Sequence, residues 1–156
     1  MICTSSYKAW NDTLSTCYSI SGDRGKGVNY EGKCYPKLAP KLSFWKKWHD
    51  NIGLITEEEN NSFYIREYYN QILSKLNPKE VYDELDNSTL LCYEDSNLFC
   101  HRHIVAEWLE LTLGVSIYEV EFVNGEIKFV DRDKFIGEVL SSVIDKKKVK
   151  KKGYGE

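Results

Sequence analysis

The sequence predicts an α/β fold, a single layered domain in which a mostly parallel sheet is flanked by helices. Three observations carry this. Short apolar runs bounded by turn residues alternate with longer segments of helical period. One run, STLLCYE at 88–94, is almost continuously apolar, as a strand buried on both faces must be, and this marks it as central. The length, 156 residues, suits one domain and allows roughly two thirds of the unfolded surface to be buried.

The elements follow in order. ICTS opens the chain as a strand ending in hydroxyls, and TCYSIS at 16–21 is the next strand. It runs into the loop GDRGKGVNYEG, with glycines at 22, 25, 27 and 32. Pro36 and Pro40 punctuate the segment that follows, and Leu42, Trp45 and Trp48 then recur at helical spacing until Gly53. Thr56 with Glu59 forms a capping-box pattern, and the helix it starts reaches Asn77. Pro78 stops that helix and begins a short one, PKEVYDEL. After the central strand comes a helix over 100–113, ended by Gly114. The strand VSIYEVEFV turns at Asn124-Gly125 into EIKFV, a hairpin signal. DRDKFIGEVLSSVI is the last amphipathic helix. There is no repeat and no second domain: the reading is an α/β domain over 1–145 and a basic, disordered tail over 146–156.

Composition excludes several classes. Apolar residues at 42% and charged residues at 29% are ordinary for a soluble globular chain. No stretch approaches the ~20 apolar residues of a membrane span. The opening MICTSSYKAWND has no basic segment ahead of a hydrophobic one, so a cytoplasmic location is expected and no membrane partner. Five cysteines (3, 17, 34, 92 and 100) with no CxxC pair suggest free thiols and not a structural zinc site. Net charge is −3, unevenly placed: the last eleven residues carry six lysines and one glutamate, the first 145 residues 15 basic and 23 acidic side chains. The body is acidic; the tail can touch nucleic-acid phosphates or stay solvated.

FCHRHIVAEWLE, residues 99–110, is the most informative stretch. On the helical period Cys100 lies below Ile104 and His101 below Val105, both toward the body of the protein. Arg102 lies at the margin, and His103, in line with Glu107 and Glu110, faces solvent. A helix start after a central strand favours anions, and an arginine fork there suits phosphate or carboxylate. The same position favours a thiolate at Cys100, and His101 can serve as base or hydrogen-bond partner. Alternatives stay open: a buried small residue at Cys100, an ion pair of Arg102 with Glu94 or Asp95, or a metal site from Cys92, Cys100, His101 and His103.

The context of these residues resembles a known family. LLCYEDSNLFCHRHIVAEWLE is similar to the signature of the domain-of-unknown-function 488 family: Leu90, Leu91, Cys92, Tyr93 and Glu94, then Cys100, His101 and Arg102, then Ala106, Glu107 and Leu109. ICTSSY resembles the family's first strand, and YPKLAPKLSFWKKW its proline-bearing segment. The resemblance spans roughly residues 1–122. It implies a single three-layer Rossmann-like domain with a shared pocket, and it names no reaction.

Other candidates cluster around that pocket. Thr4, Ser5, Ser6 and Tyr7 end the first strand and can hydrogen-bond a sugar or phosphate. Arg24 and Lys26 sit in the glycine loop, which can wrap phosphate without being a Walker loop or a dinucleotide fingerprint. Glu94 can supply an acid or base. The function expected is a pocket for a nucleotide or other phosphate-bearing ligand over the ends of the first and central strands. Arg102 would hold the anion, and Cys100, His101 and Glu94 would be the reacting groups of a hydrolase or glycosidase without cofactor. A non-catalytic binder of a small anion or a protein, and a metal-binding protein, are the alternatives.

Overall fold

The computed structural model describes the backbone of residues 1–154 and the side chains of residues 1–148. Six strands form one sheet: β1 (Cys3–Ser6), β2 (Thr16–Ser19), β3 (Lys33–Cys34), β4 (Ser88–Cys92), β5 (Tyr118–Val123) and β6 (Glu126–Val130). Five helices accompany them: α1 (Leu42–Asp50), α2 (Glu57–Gln71), α3 (Pro78–Leu85), α4 (His101–Leu113) and α5 (Lys134–Tyr154). The strand order is β3-β2-β4-β1-β5-β6, parallel throughout except for the β5–β6 hairpin. The fold is α/β with a mostly parallel sheet, as the strand–helix alternation predicts.

The pleat of β4 divides the interior. Leu90 and Cys92 face the main core, packed with Phe44, Tyr68, Leu85 and Ile104 from the helices. Leu91 faces the other side, where Ala9, Cys17 and Tyr30 form a smaller cluster. All five residues of β4 are buried, which explains its unbroken apolar run.

Local chemistry sets the helix ends. Thr56 Oγ1 accepts from the Glu59 amide at 3.1 Å, and Asn77 Oδ1 accepts from the amides of Lys79 and Glu80. Gly114 closes α4 at φ +68°. Asn124 (φ +52°) and Gly125 (φ +79°) make the hairpin turn that their sequence predicts.

Three elements differ from expectation. The helix begun at Thr56 stops at Gln71, and a single 3-10 turn, Leu73–Lys75, joins it to Asn77. In α1 the buried residue is Phe44, whereas Leu42 and Trp45 are exposed on the rim of a cavity. Helix α5 does not end at Ile144 but continues to Tyr154. The tail expectation therefore meets a helical backbone as far as that residue, and its side chains beyond Lys148, like residues 155 and 156, lie outside those described. No described helix is long and apolar enough to cross a membrane.

Candidate active site

Strand order fixes where a cleft can form. The chain leaves β2 outward to β3, and leaves β4 through α4 in the opposite direction to β5. The space between the carboxyl ends of β2 and β4 is therefore left open, as at other switch points of parallel sheets. A cavity of about 660 Å³ lies there. Its floor is Ser21 to Asp23 after β2 and Cys92 to Glu94 after β4, with Cys100 and His101 at the start of α4. Trp45, Trp48, Tyr64 and Phe99 form its aromatic wall.

Cys92, Cys100 and His101 meet at the bottom. One donor atom from each lies within 4.8 Å of the others, and all three residues are buried. Cys92 Sγ is 3.6 Å from His101 Nδ1 and 3.9 Å from Glu94 Oε2. His101 Nε2 lies 2.7 Å from the Ile20 carbonyl oxygen. A carbonyl can only accept, so Nε2 carries the hydrogen, and in the neutral ring Nδ1 turns its lone pair to the sulfurs.

Charge is distributed to favour one thiolate. Burial opposes ionisation of Cys100. A hydrogen bond from Cys92, the Arg102 charge and His101 outweigh it, holding this thiol well below the ordinary range. The N-terminus of α4, where Cys100 is the cap residue, adds partial positive charge. Cys92 moves the opposite way: it hydrogen-bonds the Cys100 sulfur and is buried, and both raise it. Glu94 is pushed up to about 7, first by burial and then by the neighbouring Cys100 charge. The thiol whose ionisation is favoured therefore shares the cavity with a carboxyl raised to about 7.

Arg102 occupies a different place from the one its sequence position suggests. It is fully buried and forks onto Glu119, with Nε donating to Oε1 at 3.1 Å and Nη2 to Oε2 at 2.9 Å. Thr4 and Ser96 hydroxyls each donate to the same carboxylate at 2.7 Å. The partner is neither Glu94 nor Asp95; Asp95 pairs with Lys8. Arg102 thus acts on the site through its field on Cys100 and does not line the cavity. His103 is buried as well, with Nδ1 3.8 Å from Glu119. The face of α4 that its own period assigns to solvent is covered, because α5 packs there and Arg132 bridges Glu107 and Glu110.

The remaining expected contacts also turn elsewhere. Thr4 serves Glu119, and Ser5 Oγ donates to the Val120 carbonyl at 2.6 Å. Ser6 is buried near the end of β1, on a separate small cavity with Ser5. Tyr7 shares hydrogen bonds with Ser19 and Ser21 and packs its ring against Tyr93. It braces the cavity without lining it. β1 is separated from the open switch point by β4, so its hydroxyls cannot reach across. Arg24 and Lys26 are exposed and outside the cavity lining.

The glycine loop is filled by its own aspartate. Asp23 accepts from the amides of Gly25 (2.8 Å) and Gly27 (3.0 Å), from Ser21, and from the Tyr93 hydroxyl. The amides that a phosphate would need are already engaged. Gly25 and Gly27 are required for packing: a Cβ on Gly25 would meet Tyr30 at 2.6 Å, and one on Gly27 the Tyr93 oxygen at 2.7 Å.

Of the expected site, Cys100, His101 and Glu94 come together. Cys92, Asp23, Tyr93 and the aromatic wall join them; the sequence marked Cys92 as a metal option and, with Tyr93, as part of the family signature, and did not single out Asp23. One signal was available for Cys92: it lies two residues before Glu94, at the end of the most buried strand. Residues 13–113, well over half of the chain, match the family model described as Active DUF488-N3 subclade. The chain belongs to the DUF488 family. The matched DUF488 region contains the cysteine cluster and the aromatic wall, and leaves out ICTSSY in β1. No curated protein and no solved structure matched the chain.

Proposed function

We propose that the chain is a thiol-dependent enzyme, a hydrolase in which Cys100 is the nucleophile and Glu94 the general acid and base. One observation carries the reading. Cys100, Cys92 and His101 converge at the floor of a cavity that Glu94 also lines and whose walls are aromatic. A thiolate attacks an electrophilic carbon of the substrate, and the leaving group takes the Glu94 proton. Water, deprotonated by Glu94, then releases the covalent intermediate.

The walls indicate the substrate class. Trp45, Trp48, Tyr64, Tyr93 and Phe99 offer stacking surface, while among the described residues no lysine or arginine lines the cavity. Asp23 and Glu94 repel phosphate. We therefore take the part of a nucleotide that enters to be its base and sugar, with any phosphate outside. This narrows the phosphate-bearing ligand expected from the sequence to a nucleoside-like group. The test is acid-quenched mass spectrometry after incubation with nucleosides and nucleotides. An adduct on Cys100 together with product, both lost in Cys100→Ser, is expected. Unchanged turnover in Cys100→Ser would refute the role.

A second reading has an observation of its own. Cys92, Cys100 and His101 also form a three-donor set for a soft divalent cation, with a cavity beside it. The Nε2 hydrogen bond to the Ile20 carbonyl is the kind that orients metal-binding histidines. His103 is not one of these three donors. Stoichiometric metal in untagged protein would favour this reading over the free thiolate.

A further inference from the structure

We propose that Cys92 and Cys100 are a redox pair, in which Cys100 reduces a hydroperoxide and Cys92 closes the product into a disulfide. This rests on Cys100 as the reactive thiol and adds a second reaction to the same site.

Position singles out these two of the five cysteines. Cys92 ends β4 and Cys100 caps α4, so a seven-residue connection returns one sulfur to the other. Their sulfur atoms lie within 4.8 Å of one another. A disulfide needs about 2.05 Å, a distance that side-chain rotation with a small backbone adjustment covers. Both thiols line the cavity, so a small oxidant reaches them. Cys17 and Cys34 bond backbone carbonyls instead, of Ser15 and of Arg24 and Gly32 respectively.

The step balances. The Cys100 thiolate attacks the terminal oxygen of R–O–O–H, and the O–O bond breaks. Cys100 becomes a sulfenic acid, and the departing RO⁻ takes the Glu94 proton as ROH. The sulfur loses two electrons and the peroxide gains them. Cys92 then gives its proton to His101 Nδ1, and its sulfur attacks that of Cys100. The S–S bond forms while hydroxide leaves with the His101 proton as water. An external dithiol returns the pair by exchange. A second thiol at this distance also protects Cys100 from further, irreversible oxidation.

The test uses the full chain, reduced and freed of reductant, then titrated with hydrogen peroxide and mapped by peptide mass spectrometry. The expected product joins Cys92 to Cys100, loses two of the five thiols and is reversed by dithiothreitol. In Cys92→Ser the reaction should stop at a Cys100 sulfenic acid, trapped by dimedone. Sulfinic acid at Cys100 with Cys92 still free in the wild type would overturn the proposal. Iodoacetamide labelling of the same preparation separates the two claims. If Cys100 alkylates and no disulfide forms, the redox pair falls and the nucleophile stands; if Cys100 resists both reagents, both fall.

Discussion

At the residue scale, the residues that meet in the cavity were legible in the sequence and their partners were not. Cys100 and His101 show themselves by helical period, and Glu94 by its place after a buried strand. Arg102 misleads because its partner, Glu119, is distant in sequence and lies on a strand whose inward register only the assembled sheet reveals. That pair is wholly buried, so removing one member leaves an uncompensated charge. Glu119→Ala should destabilise the protein by about 3–5 kcal/mol in urea unfolding. It should also slow Cys100 alkylation, because the arginine loses its anchor; unchanged values for both would contradict the buried network. Two other groups give opposite pH trends. Glu94 has an ordinary value of 4.5 and is raised to about 7, so its contribution is full below 4.5 and is lost as pH rises through 7. Glu94→Gln should remove that fall. Burial, then the Arg102 charge, lowers His103 below its ordinary 6.5. Its contribution is present above 6.5 and is lost as pH falls through the lower folded value.

At the element scale, most boundaries follow from caps and turns written locally. Thr56, Asn77, Gly114 and the Asn124-Gly125 turn each do what their chemistry dictates. Thr56→Ala should cost about 1 kcal/mol in thermal or urea unfolding and leave thiol reactivity alone. Elements that depend on distant packing were not legible. The two-residue β3 pairs with β2 at the sheet edge, and the exposed face predicted for α4 is covered by α5. The glycine loop shows the same limit. Its composition suits phosphate, but Asp23, Tyr30 and Tyr93 occupy it. Gly25 sits at φ +81° against the Tyr30 side chain, so Gly25→Ala combines backbone strain with a clash. That variant should unfold at a measurably lower temperature than Thr56→Ala. Equal melting temperatures would mean the loop gives way freely.

At the scale of the whole molecule, strand order decides the chemistry. The α/β class is readable from alternating periods, whereas the order β3-β2-β4-β1-β5-β6 is not. The order opens the sheet between β2 and β4 and closes it at β1. For this reason the hydroxyls of Thr4 and Ser5 become braces, and the cysteine cluster becomes the floor of the cavity. We expect this arrangement to make Cys100 the reactive thiol of the chain. The most direct test is alkylation by iodoacetamide from pH 5 to 9, with each cysteine mapped separately in the native protein. Cys100 is expected to label first, at a rate that persists well below the ordinary thiol range of about 8.5. Preferential labelling of Cys3 or Cys34, with Cys100 reacting only after denaturation, would contradict it.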